Sequence, residues 1–236
     1  MSTRVVFACS GSADNLAAIP RLASAFDAEI VALTLDVGQA AELESTRQAA
    51  LAAGAVRAHV LDAREEFARH CIASSRGDQA PSARPLVART LVEVARIEGA
   101  AIVAHGGDAR DHAEIEAAVR AVDRSMRVVA VQAGSADEDH GVHPTLWERA
   151  PGTPELNEPA RLEIAFERGL PVSVNGVPMA LAELIESVST IAAAPAAVVF
   201  QAAHEALGAD ASRASGATVC LELFKGRHRV LSAHHS

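Results

Sequence analysis

Over the first 133 residues, short runs rich in β-branched residues alternate with longer stretches at helical period, and this constrains the fold more than any other feature. RVVFA (4–8), EIVALTLDV (29–37), RAHVLDA (57–63), AAIVAHG (100–106) and RVVAVQA (127–133) read as strands. Asp14 to about Phe26, Ala40–Ala53, Arg64–Ser74, Pro85–Ile97 and Asp111–Val122 read as helices. Strands that are apolar almost throughout and separated by helices predict a parallel sheet covered on both faces. The expected class is therefore α/β, with five parallel strands and the first near the centre. Ligands of such sheets meet the carboxyl ends of the strands. Those ends are the loops at 9–14, 35–39 and 105–111.

From Gly134 to Pro159 the chain is rich in Pro, Gly and acids and has little periodicity, so it reads as a linker. A different domain is expected after it. LEIAFERGLPVSVNG (162–176) looks like two short strands around a turn. Leu181–Ala193 and Ala196–Leu207 look like helices parted by Pro195, which suits the first residue of the second helix. TVCLELFKGRHRVLSA (218–233) reads as a hairpin turning at Lys225–Gly226–Arg227, with His234–His235 as a frayed tail. The expected organisation is an α/β domain over 1–133, a linker over 134–159 and a smaller α+β domain over 160–236.

Composition removes several classes of function. Lys+Arg 21 against Asp+Glu 30 gives −9, which disfavours broad nucleic-acid or anionic-membrane binding. Lys225 is the only lysine, so lysine-centred covalent catalysis has almost no candidates. Tyrosine is absent, which removes tyrosine acids, and with one Trp and six Phe the chain is poor in base-stacking platforms. Cys9, Cys71 and Cys220 are too few and too far apart for a disulfide framework or a Cys-based zinc site. The N-terminus turns polar after one short apolar run, unlike a signal peptide. No stretch reaches the roughly 20 apolar residues of a membrane span. The cytoplasm is the expected location. Asp137–Glu138–Asp139–His140 lacks EF-hand spacing and reads as a solvated acidic loop, so no metal site is expected.

Ser10–Gly11–Ser12–Ala13–Asp14 follows the first strand and opens the first helix. Small residues there let backbone N–H groups approach a phosphate at a helix N-terminus. The run is neither a Walker A loop nor GxGxxG. Spacing alone leaves a second reading open, an ordinary strand-to-helix turn with Asp14 as N-cap.

Several blocks together carry a resemblance. RVVFACSGSADN, EIVALTLDVGQ, VRAHVLDAREEF and ARPLVARTLVEVARIEGAAIVAHG resemble, in order, the nucleotide-binding half of argininosuccinate synthases. LWER, NEPARLEIAFERGLPVSVNG, ELIESVSTIA, APAAVVFQAAHEAL and VCLELFKGRHRV resemble successive pieces of that family's second half. The resemblance implies an ATP-pyrophosphatase-like (adenine nucleotide alpha hydrolase-like) fold. It also implies an AMP-forming carbon–nitrogen ligase, in which citrulline is adenylated by ATP and aspartate displaces AMP. Mg²⁺ would enter only with the nucleotide.

Carried over by position, the nucleotide contacts implied are Ala8, Ser10, Gly11, Ser12, Asp14, Asn15, Thr34, Arg84, His105 and Gly106. The family loop is SGGxDT or SGGxDS. Ser12 therefore stands for its second glycine, with strain expected if φ is positive there. Asn15 stands for the threonine, and Leu16 removes a hydroxyl. HGGDARDHA stands where the family has HGCTGKGND, so Asp108 replaces the Thr, Arg110 the Lys, His112 the Asn and Ala113 the Asp. Glu116 aligns with the arginine that grips the citrulline carboxylate, and the family's YPLGTSL is here RGDQAPS. The block between the two second-domain helices and the long region before the last hairpin are absent. The resemblance thus implies a kept scaffold with an eroded substrate site and ligase activity changed or lost. A weak ATP or AMP site, or a non-catalytic scaffold or partner subunit of another enzyme, remain the two outcomes. A nucleotide or small amino-acid-like ligand and a homodimer are the expected partners.

Overall fold

The computed structural model describes residues 3–38, 42–74, 83–107, 109–131, 158–192, 196–208, 216–225 and 227–235. The described elements fall into two compact units.

The first unit holds β1 (Thr3–Ala8), α1 (Ala13–Phe26), β2 (Ala28–Asp36), α2 (Leu43–Ala52), β3 (Arg57–Asp62), α4 (Arg84–Glu98), β4 (Ile102–Gly106), α5 (Ala109–Val122) and β5 (Arg127–Val131). Its sheet is parallel throughout, in the order β3-β2-β1-β4-β5. The expected class and the central place of β1 are both found. Burial explains the order. Val5, Val6 and Phe7 of β1 and Ile30 to Leu35 of β2 are buried on both faces, whereas TRVVFA and AEIVALTLD leave their charged residues to the strand ends. RAHVLD and RVVAV each begin with an exposed arginine, contain no fully buried residue and take the edges.

On one face, Ala18, Ile19 and Leu22 of α1 and Ala50 of α2 close over Val5, Phe7, Ile30, Ala32 and Ala104. The alternate residues Val6, Val31, Leu33 and Val103 face the other way, where α4 supplies Leu91, Val92 and Ala95. Truncating a fully buried phenylalanine such as Phe7 to alanine would cost about 3–5 kcal/mol. α4 stops where Gly99 adopts a left-handed φ of 66° and returns its N–H to Ala95 and Arg96. At the opposite end of the sheet from the strand carboxyl termini, Glu98 is buried and gathers Arg4, Arg57 and His59. Arg57 Nη1 donates to both carboxylate oxygens at 3.0 and 2.8 Å.

The second unit holds α3 (Arg64–Ser74), β6 (Ala160–Glu167), β7 (Leu170–Val174), β8 (Val177–Pro178), α6 (Leu181–Ala192), α7 (Ala196–Leu207), β9 (Ala217–Phe224) and β10 (Arg227–His235). Its sheet is antiparallel in the order β10-β9-β6-β7-β8. Strict alternation in β6 and β9 sends Leu162, Ile164, Phe166, Val219, Leu221 and Leu223 inward against α6 and α7. Arg168–Gly169 and Asn175–Gly176 all have positive φ, as two-residue hairpin turns require. α3 packs against α6, and Glu65 accepts from the Ala182 N–H at 3.3 Å, one of the first N–H groups of α6.

Two expectations need correction here. The 162–176 segment continues into a third short strand, β8. His234 and His235 are no frayed tail, because they pair with Thr218 and Ala217 inside β10. The acidic run 137–140, Pro195, the RGDQAPS segment and all of the expected linker except its last two residues lie outside the described residues.

Candidate functional site

The carboxyl ends of β1, β2 and β4 stand side by side, because Ala8 is in register with Leu33 on one side and His105 on the other. Helices leave β1 and β4 toward opposite edges of the sheet, so the crevice between their loops is a topological switch point. Ser10, Gly11 and Ser12 form one wall and Gly106 and Gly107 the other.

The β1 loop is built around a glycine that no other residue can replace cheaply. Gly11 has φ 86°, and a Cβ there would lie 2.7 Å from Thr46 Cγ2 on α2. Ser12 has φ −61° and ψ 155°, so the strain expected from its Cβ is absent, and the positive φ falls on Gly11 instead. Ser12, not Asp14, is the N-cap of α1. Its hydroxyl accepts from the Asn15 N–H at 3.3 Å and from Asn15 Nδ2 at 3.0 Å. Asp14 sits one residue into the helix, where a carboxylate suits the helix dipole. Ser10 Oγ accepts from the Ser12 N–H at 3.4 Å.

Asn15 is buried and spans the crevice, since a Cβ on Gly106 would lie 2.9 Å from its Nδ2. Thr34 is also buried, and its hydroxyl donates to the Cys9 carbonyl at 2.8 Å, tying β2 to the end of β1. Burial pushes the Cys9 thiol up, against a smaller downward pull from the Gly11 backbone, so Cys9 is a packed residue rather than a reactive one.

Across the crevice, His105 is buried and both ring nitrogens are engaged. Nδ1 lies 2.9 Å from the Gly106 carbonyl and Nε2 lies 3.1 Å from Nδ1 of His112 on α5. The two rings stack at 5.4 Å. Burial pushes the His105 imidazole below the ordinary histidine value. The nearby His112 ring adds to this, while the Gly106 carbonyl and Asp111 pull the other way. Arg84, at the start of α4, pairs with Asp111 and donates to Glu114 at 2.9 Å. Glu116 pairs with Arg120 at 2.8 Å and brings its other oxygen to 4.0 Å from His112 Nε2.

The ten residues singled out from the sequence thus converge on one end of the first unit. Ala8, Ser10, Gly11, Ser12, Asp14, Asn15, His105 and Gly106 lie at the carboxyl ends of β1 and β4 and at the start of α1. Thr34 is turned into its own sheet, and Arg84 is bound into the α5 carboxylates. Asp108 and the Arg110 side chain lie outside the described residues. Sequence reasoning missed the seat of Thr46 over Gly11 and the pairing of His105 with His112. A helical spacing cannot reveal contacts between separate elements.

At the N-terminus of α1 the Ser12 hydroxyl already holds the Asn15 N–H, and the Ser10 hydroxyl holds the Ser12 N–H.

Residues 4–137 match the arginosuccinate synthase N-terminal HUP domain. The chain belongs to the argininosuccinate synthase family. The argininosuccinate synthase of Symbiobacterium thermophilum is 32% identical over 245 residues, covering 80% of this chain and 61% of that protein. That of Dictyoglomus thermophilum is 29% identical over 280 residues, covering 86% of this chain and 70% of its own length. The chain therefore spans only part of the length of the synthases it matches. A solved universal stress protein in complex with cAMP covers 56% of this chain at 20% identity and a TM-score of 0.34, a likeness too slight to carry an argument. Among the described residues, no helix is long and apolar enough to cross a membrane.

Proposed function

We propose that this chain is a synthase-family protein that binds ATP or AMP weakly through residues 1–133 and has changed or lost the citrulline–aspartate ligase activity. Mg²⁺ would arrive with the nucleotide. The contacts assigned are Ser10, the backbone of Gly11 and Ser12, the first turn of α1 and Gly106, with Thr34 and His105 supporting from beneath the loops that would frame the base and phosphates.

The observation that carries this reading is the state of α1's N-terminus. The glycine-dependent turn is intact, yet Ser12 and Asn15 satisfy one another where a phosphate would be received. Across the crevice, Glu116 places a carboxylate where the resemblance puts a carboxylate-binding arginine, and like charges repel. We also assign a homodimer to the chain, with the second unit supplying the contact.

Calorimetric titration with ATP–Mg²⁺ and AMP tests the reading. Each charge-assisted donor to phosphate is worth about 1.5–3 kcal/mol. Changing Ser12→Gly, Asn15→Thr and Leu16→Ser together should therefore tighten ATP by roughly tenfold to a hundredfold. Absence of nucleotide binding in both proteins would refute the nucleotide site and leave the same framework as a non-catalytic partner subunit.

A further inference from the structure

The hydrogen-bond chain from β4 into α5 fixes which ring nitrogens can accept. A carbonyl oxygen only accepts, so the Gly106 contact requires the hydrogen of His105 on Nδ1. Neutral His105 then offers a lone pair at Nε2, and His112 must donate to it from Nδ1. His112 Nε2 is left as the open acceptor of the pair. It lies 4.0 Å from Glu116 Oε2, on a side chain about one-third exposed. In neutral His112 this is one acceptor facing another, and such a pair is completed by a donor. A proton on Nε2 is one such donor. A nitrogen placed about 2.9 Å from both atoms is another, and a 4.0 Å separation leaves room for it.

We propose that His112 and Glu116 form an ammonium-binding pair, with His105 as its positioning residue. It takes a ligand that presents a primary ammonium group where a carboxylate would be repelled. The ammonium R–NH₃⁺ donates one N–H to His112 Nε2 and another to Glu116 Oε2, and it keeps its three protons. The charged neighbours on the packed elements agree with a cationic guest. Asp111, Glu114 and Glu116 line α5, and the described cations among them, Arg84 and Arg120, are already bound to these carboxylates. The inference rests on the reading of the crevice as a ligand site and adds the chemical class of the ligand.

The test is a histidine-ring NMR titration of the full chain, with 1,4-diaminobutane as the cationic probe and succinate as the anionic one. His105 should carry its hydrogen on Nδ1. The diamine should shift the His112 ring resonances, and succinate should not. Glu116→Gln should weaken the diamine response by about fivefold or more. A hydrogen on His105 Nε2, a response to succinate in place of the diamine, no response to either probe, or an unchanged response in Glu116→Gln would each overturn the proposal. AMP added to the same samples reports separately on the nucleotide reading through the amides of Ser10 to Ser12. A diamine response without an AMP response would sink that reading alone, and an AMP response without a diamine response would sink this one alone.

Discussion

The side-chain amide of Asn15 rests against the α-carbon of Gly106, so closely that a methyl group there would lie 2.9 Å from Nδ2 and 3.3 Å from Oδ1. The contact joins the loop after the central strand to the end of its neighbour, across the crevice where ligands of such sheets bind. Gly106 does not have a left-handed φ, so the restriction is one of space and not of backbone. Gly106→Ala should cost about 1–3 kcal/mol by overpacking. Adding Asn15→Ala should recover part of that loss, giving a coupling of about 0.5 kcal/mol or more in urea denaturation. Strict additivity would mean that the two residues do not press on one another in solution.

Ser12 stabilises α1 by capping its N-terminus. Ser12→Ala should lower stability by about 1 kcal/mol and Ser12→Gly by only a few tenths, because glycine is a tolerated N-cap. Thermal denaturation of both variants distinguishes them. Equal losses would show that the hydroxyl does not cap the helix.

Gly11→Ala should be worse than either, since it adds a Cβ at φ 86° and drives it into Thr46. Thr46→Ala in the same chain should relieve the clash but not the backbone strain. The expected result is therefore partial rescue of melting temperature, and complete rescue would contradict it.

Glu98 gives the fold an acid-sensitive support. Burial raises its pKa, but hydrogen bonds and charge from Arg57 and His59 outweigh that and hold it below the ordinary 4.5. A depressed folded value means the contribution is full above 4.5 and drains away as pH falls through the lowered value. Glu98→Gln should cost about 1.5–3 kcal/mol at neutral pH. The stability of variant and parent should converge as pH falls through the lowered value, as followed by denaturation across pH. A constant difference down to the acid limit would contradict the network. Asp123 should behave alike at lower pH, because Ser125 and Arg96 push its carboxyl down to about 2.

The alternation of apolar strands with amphipathic helices made the first sheet legible, including its central strand, because a run such as RVVFA can bury both faces only between neighbours. The antiparallel pairing of β9 with β10 was legible from the two strand-like runs on either side of Lys225–Gly226–Arg227, although Gly226 itself lies outside the described residues. The place of α3 was not. REEFARHC follows β3 like any crossover helix, yet Phe67 and Ile72 are buried in the second unit, and nothing local signals that partnership. The site was legible as a set of positions but not as a set of bonds. Ser12 and Asp14 are both good N-caps by type, and only the backbone angles decide between them. His105 and His112 are seven residues apart with a strand end between them, so their pairing depends on how α5 leaves β4.

The central claim is that the inherited site no longer performs the family's ligation. Its most direct test is formation of argininosuccinate from citrulline, aspartate and ATP–Mg²⁺ by the unmodified chain, followed by mass spectrometry of the product. The eroded crevice, with Glu116 and Ala113 in place of the family's cation and acid, predicts no product above the enzyme-free control. Steady formation of argininosuccinate would contradict it.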